Sequence, residues 1–384
     1  MADIPAETVE KYRRERVLLD PYLDWAEAEG VPVVEDFGVD LLSADTAPWQ
    51  RYGCDGAIIH LKGRGNFCST FLLDVAPGAK TAPIRHLYED VYYVLEGHGS
   101  TRVESHDGQS HTFEWGPKSM FALPVNAPHQ IFNGSGAERA RIATTTNAPM
   151  VMNLYHSESF VFDNDHWFAG REGETGRYAG EGEMTPIRPG RILWDTNFVP
   201  DVGAFELQPW DARGAGSGNM QFLLADGILG AHASEMPVGT YKKGHRHGPG
   251  LHIFIVHGSG YSLLWYEGDE DFHRVEWRHG MIFAPPNQMF HQHFDTSAHP
   301  ARYLAIGLGS KRYPVIQRRR EGSENNRSDV SIKKGGRQIE YEDQDPRIHR
   351  LWLGEIAKTG VESEMGEFFD EDAMRRDLDT SAAE

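Results

Sequence analysis

From Pro48-Trp49 onward the hydrophobic pattern is that of strands. Short apolar and β-branched runs such as Phe67–Val75 and Val91–Leu95 are bounded by Gly and Pro, which is how strands joined by tight turns read. Only the ends look helical. Residues 5 to 30 predict two short helices, with Val9, Tyr12 and Leu19 as an approximate apolar stripe. Asp20-Pro21 offers an N-cap followed by proline at the first helical position, and Gly30 a stop. Near the other end, Asp345-Pro346 opens a helix whose apolar face is Ile348, Leu351, Trp352 and Ile356, and Gly360 closes it. Residues 170 to 182, rich in Gly and Glu, read as an exposed loop. Residues 317 to 336 read as a polar, poorly packed segment, and the last twenty residues as an acidic, frayed tail.

The strand pattern occurs twice. Pro48-Trp49 recurs at Pro209-Trp210, Gly78 at Gly239 and Gly97 at Gly258, each 161 positions on, and His129 recurs at His291, 162 positions on. A constant offset between turn glycines, a Trp and a His marks an internal repeat of one domain. The expected organisation is a helical arm over 1–47, a first β unit over 48–156, a connecting segment over 157–208, a second β unit over 209–315, and a polar loop, short helix and acidic tail over 316–384. A length of 384 residues accommodates two such cores.

The candidate chemistry sits in the second unit. His245 and His247 are two apart, so on a strand both imidazoles face the same side. His291 closes a second strand-turn unit after Pro285, Pro286 and Asn287. Three neutral imidazoles converging from two strands make a transition-metal site with open positions. His293, two past His291, points toward the same cavity as a candidate acid/base or substrate-orienting group, or as a His bonded to a backbone carbonyl. Lys243 shares parity with His245 and is a candidate for steering an anionic substrate. Asn287 and Gln288 lie in the turn before His291 and are candidates for the cavity mouth. His257, His273, His279 and His299 have no matching spacing and read as surface or barrel-edge residues. Carried back by 161, the first unit has Ile84, His86 and Asp90 where the second has His245, His247 and Leu251. It therefore keeps two His (His86, His129) and a carboxylate but loses one ligand. The expectation is a hydrogen-bonded core there and one metal per chain.

Gly239, His245, His247 and Gly258, followed by Gly280, Pro286 and His291, resemble the two motifs of the cupin superfamily, with Gln288 where the family has Gly. The resemblance implies an all-β chain of two tandem cupin (double-stranded β-helix or jelly-roll) barrels with short helical extensions. Leu251 stands where most cupins place a Glu ligand; His252, one residue on, is a conceivable fourth ligand, although alternation turns it away from His245 and His247. A three-His site without Glu is similar to gentisate-type ring-cleaving dioxygenases. That likeness implies Fe(II), O2, and cleavage of a small hydroxylated, aromatic carboxylate, with the apolar Leu251 beside the ring. Those relatives carry the full site in the first barrel, whereas this chain has it in the second. The alternative is a non-oxidative cupin enzyme (decarboxylase, isomerase or hydrolase) using Mn(II), Ni(II) or Zn(II), and a third reading is a non-catalytic ligand-binding cupin.

Charge narrows the partners. With 38 Lys and Arg against 57 Asp and Glu, the net charge is −19, which disfavours nucleic acid and anionic membrane surfaces. The two cysteines, Cys54 and Cys68, form no disulfide framework or zinc ribbon. A cytoplasmic compartment is expected, with no secretory leader and no membrane span. The expected partners are a small-molecule substrate, O2 and further copies of the chain in a homo-oligomer.

Overall fold

The computed structural model describes residues 19–168, 175–188, 191–248, 250–313 and 329–375. Each repeat forms a large, mostly antiparallel sheet and a small antiparallel sheet facing one another. In the first, the large sheet centres on Cys54–Leu61, Ser69–Val75, Ala140–Thr146 and Asp90–Glu96, and the small sheet is His129–Asn133, Gly99–Glu104 and Ser110–Trp115. In the second, the corresponding strands are Gly218–Leu224, Leu229–Met236, Ala301–Leu308 and His252–His257, opposed by His273–Arg278, Ser259–Trp265 and Phe290–Asp295. This is an all-β fold of two tandem two-sheet units, the arrangement that the repeat and the motif resemblance led one to expect.

The two large sheets pack back to back. Ala57, Ile59, Leu61 and Leu72 of the first meet a common core with Met220, Phe222, Ala231 and Leu304 of the second. Both faces of these sheets are therefore buried, which is why Ser69–Val75 and Asp90–Glu96 are almost wholly enclosed. The small sheets face solvent more and alternate, as His273–Arg278 does.

Two stretches read as arm and connector contain strands. The expected helix is present at Pro21–Ala28, where the Asp20 side chain accepts from Leu23 N–H; the earlier of the two predicted helices lies outside the described residues. After it, Val33–Asp36 pairs parallel with Ile58–Leu61 of its own repeat. Gly38–Asp40 then crosses to Met281–Phe283 of the other repeat. The connector does the reverse. Arg191–Thr196 pairs parallel with Gly218–Leu224, and Phe198–Val199 crosses back to Met120–Phe121. These runs of two to six residues are too short to carry a visible period, so the pairing that makes them strands is legible only in the tertiary structure. The connector also holds a short helix, Glu158–Phe162. The predicted 170–182 loop, 317–336 segment and acidic tail lie partly outside the described residues.

The C-terminal helix spans Pro346–Thr359, capped by Asp345 and ended by Gly360 at φ +71°. Ile348, Trp352, Leu353 and Ile356 are buried against Tyr261, Leu263 and Phe294 on the outer face of the second small sheet. Leu351, read as part of that face, is instead 37 % exposed and Leu353 takes its place. Trp352 also donates its indole N–H to the Asp295 carbonyl at 2.9 Å. Trp352→Ala should therefore cost about 3–5 kcal/mol, read as a lower denaturation midpoint with an unchanged slope. A loss below about 1 kcal/mol would mean that the helix is not docked as described.

Candidate metal centre

His245 and His291 are locked across two strand segments. Each backbone N–H donates to the other's carbonyl, at 3.0 and 2.9 Å. Their rings lie 4.2 Å apart, and His247 stands 4.6 Å from His291 and 5.6 Å from His245. One ligand nitrogen from each of the three lies within 4.8 Å of the others, and among the described residues these three alone form the group. A single ion on imidazole bonds of about 2.0–2.1 Å needs nitrogens no more than about 4.2 Å apart, a spacing that small side-chain rotations would reach.

The hydrogen bonds select the ligating atom. Nδ1 of His245, His247 and His291 contacts the carbonyls of Lys243, Gly248 and Met289 at 3.3, 2.8 and 3.1 Å. A carbonyl only accepts, so each Nδ1 carries the proton and each Nε2 keeps its lone pair. Nε2 of His291 is buried and finds no hydrogen-bond partner among the described residues. An orphaned buried lone pair is costly, and a cation at the shared focus would satisfy it. These residues fit a divalent metal.

Burial holds the three imidazoles neutral. Desolvation pushes His247 down to about 4 and His245 and His291 well below their ordinary value. The Arg213 guanidinium adds to the effect on all three and on His293; Arg337 adds to it on His247, and Lys242 on His293.

A β-bulge corrects the reading of Lys243. Tyr241 bridges to Phe294 and His245 to His291, so one strand spends four steps where its partner spends three. The first repeat has the same bulge, between the Lys80–Phe132 and Ile84–His129 bridges. The extra residue reverses parity ahead of His245. Lys243, expected beside the metal, carries its ammonium to Glu340 at 2.6 Å. Lys242 is the inward cation, fully buried, 2.6 Å from Ser234 Oγ and over the Tyr303 ring. His293 is inside as expected, with Nδ1 2.8 Å from Ser262 Oγ. Burial and the Lys242 charge push it to about 3, so the anticipated titration near neutral pH is lost.

The other candidates resolve simply. His252 faces away, its Nδ1 2.7 Å from Thr70 Oγ1 of the first barrel, and is no ligand. Leu251 packs with the apolar interior around Ile253 and Phe283. His257 and His279 are half-buried, and His273 and His299 exposed. Gln288 has φ +59° in the turn before His291, and its counterpart Asn126 has φ +63°. The Gly that the motif prefers there is explained by this left-handed turn. The strap after residue 329 borders the site: Arg246 N donates to Arg337 O at 3.0 Å, and Ile339 N to Gly244 O at 2.7 Å.

The first barrel is closed on itself. His86 Nε2 lies 3.0 Å from Asp90 Oδ2, off the line of a good hydrogen bond. The Tyr92 hydroxyl lies 3.0 Å from both Asp90 Oδ2 and His129 Nε2. The atoms that would face an ion already face each other, and Ile84 fills the third corner. The interiors differ as well. The cross-strand row Asn219–Ser234–Tyr303–Ile255 of the second barrel corresponds by register to Gly56–Leu73–Ile142–Val94 of the first. The next row has Gln221 and His232 where the first barrel has Ile58 and Phe71. Polar groups there are thus not a demand of the fold.

The family described as auxin binding protein matches residues 66–165, which lie mostly in the first barrel. Auxin-binding protein T85 of Nicotiana tabacum is 30% identical over 131 residues, covering 31% of this chain and 65% of the relative. Auxin-binding protein 4 of Zea mays is 29% identical over 98 residues, covering 24% of this chain and 45% of the relative. The chain thus spans less than two thirds of these curated relatives. Among solved structures, oxalate decarboxylase of Bacillus subtilis aligns with a TM-score of 0.47 and 12% identity, over 72% of this chain and 78% of that one. Among the described residues, no helix is long and apolar enough to cross a membrane.

Proposed function

We propose that the second barrel holds one divalent transition-metal ion on His245, His247 and His291, and that the chain is an enzyme acting on a small carboxylate that completes the coordination shell. The close approach of one nitrogen from each of the three imidazoles carries this reading. Mn(II), Fe(II), Ni(II) or Zn(II) suits imidazole donors. When bound, such an ion would act as a Lewis acid, polarising a carboxylate or carbonyl oxygen. Three neutral ligands leave its charge uncancelled, and Arg213 reinforces the preference for an anion.

A non-oxidative reaction, such as decarboxylation, isomerisation or hydrolysis, is the first reading. One wall of the interior carries Asn219, Gln221, His232 and Ser234 and another Leu251, Ile253 and Phe283; the polar wall, absent from the first barrel, supports a polar aliphatic acid over the hydroxylated aromatic ring. In this scheme His293 orients the substrate as a neutral hydrogen-bonding group. Fe(II)- and O2-dependent cleavage is the second reading, favoured by a donor set with no carboxylate and several open positions. The ligand in the auxin-binding relatives' name is not carried over, because the match lies mostly over the first barrel, whose interior rows hold Ile58, Phe71 and Leu73.

Metal-reconstituted protein should convert a small hydroxy, keto or dicarboxylic acid equally well with and without air. Substrate loss that requires air and matches O2 consumption would replace the first reading with the second.

A further inference from the structure

We infer that Arg213 binds a carboxylate of the metal-bound substrate, which makes the substrate class a small di- or hydroxycarboxylate with at least one carboxylate oxygen outside the metal's shell. This rests on the metal-centre reading above and adds the residue that selects the ligand.

Arg213 ends a single helical turn, Asp211–Arg213, just before the strand Gly218–Leu224. Its carbonyl accepts from Lys243 N–H at 2.9 Å, and Gly214 bridges to Lys242. The turn is thereby laid against the segment that leads into His245. The guanidinium lies over the Trp210 ring at 5.0 Å, and the residue is only 4 % exposed. A buried guanidinium held over an indole is restrained in position, and its fork of donors suits two-point recognition of a carboxylate.

The first barrel shows where this position looks. Trp49 and Trp210 are repeat partners, so the residues three further on, Tyr52 and Arg213, are partners too. The Tyr52 hydroxyl meets the Tyr88 hydroxyl at 3.0 Å, and the Tyr88 ring stacks on His86 at 3.7 Å. The position therefore borders the His86 side of the first barrel's site, and Arg213, laid against Lys242 and Lys243, holds the same place in the second.

The charges are exchanged between the barrels. The first has a carboxylate in its wall, Asp90, and a neutral Tyr52. The second has Leu251 where Asp90 would be and a cation where Tyr52 would be. A ligand carboxylate in the second barrel would stand where the first barrel has Asp90.

The test uses full-length protein loaded with cobalt(II), whose visible spectrum reports its ligands. Malonate and acetohydroxamate, a chelator without a carboxylate, are titrated into the native chain and into Arg213→Met and Arg213→Gln. Malonate should weaken about 10- to 100-fold in both variants, the loss of a charge-assisted hydrogen bond, while acetohydroxamate is unaffected. Arg213→Lys should recover part of the malonate affinity, keeping the charge but not the fork. Equal weakening of both ligands would make Arg213 a structural support and overturn the inference, as would unchanged malonate binding. Native protein that takes up no cobalt overturns the metal-centre reading itself, and this inference with it.

Discussion

His291→Ala is expected to abolish stoichiometric metal binding, whereas His86→Ala should leave it untouched. Outer partners of metal-bound His are worth about 10–100-fold in affinity, so loss of a ligand from a three-ligand site should exceed about 100-fold. His291 is also the ligand whose enclosed Nε2 has no other hydrogen-bond partner among the described residues. His86 occupies the position of His247, yet its Nε2 faces Asp90. Metal content after dialysis should be one equivalent for the native chain and for His86→Ala, and near zero for His291→Ala. Two equivalents in the native chain, or half retained in His291→Ala, would mean that the first barrel also binds.

Acid should unfold the metal-free protein well before its carboxylates are protonated. Burial lowers His252 from 6.5 to about 3, and His129 and His60 from 6.5 to about 4. The unfolded chain binds protons at these sites below 6.5, and the folded chain binds them only near 3 to 4. In that window the unfolded state holds more protons, so stability is full above 6.5 and falls as the pH drops through it. At about two units below 6.5 each site contributes roughly 2–3 kcal/mol of loss. Asp295, raised by burial to about 7, binds its proton in the folded state and offsets about one of these sites, and the remainder is still a sizeable part of a domain's stability of about 5–15 kcal/mol. Thermal melts in chelator should show a steep fall between pH 6.5 and 4.5 that His252→Gln makes shallower. A melting temperature flat across that range would contradict the assignment of these histidines as buried and neutral.

Much of the site was legible because its signals are local and repeated. His245 and His247 obey the two-residue period, His291 has its repeat partner in His129, and alternation alone turned His252 outward. The misreadings have one physical root, which is that register is a tertiary property. A one-residue bulge ahead of His245 swaps the faces of Lys242 and Lys243, and no residue type in that stretch announces it. The strands at 33–40 and 191–199 exist through pairings with distant segments. Arg213 carries no motif, but counting three beyond each repeat Trp pairs it with Tyr52, so the offset that revealed the two barrels held the signal. Leu353 displaced Leu351 because a stripe read from four residues does not fix the edge of a buried helical face.

The central claim is that the metal belongs to the second barrel, on three imidazoles. It is tested most directly by crystals grown with Mn(II) or Co(II) and measured at the metal's absorption edge. One anomalous peak per chain is expected between the Nε2 atoms of His245, His247 and His291, at about 2.0–2.2 Å from each, in keeping with imidazole ligation, with none near His86 and His129. A peak in the first barrel, or none at the three Nε2 atoms, would contradict it.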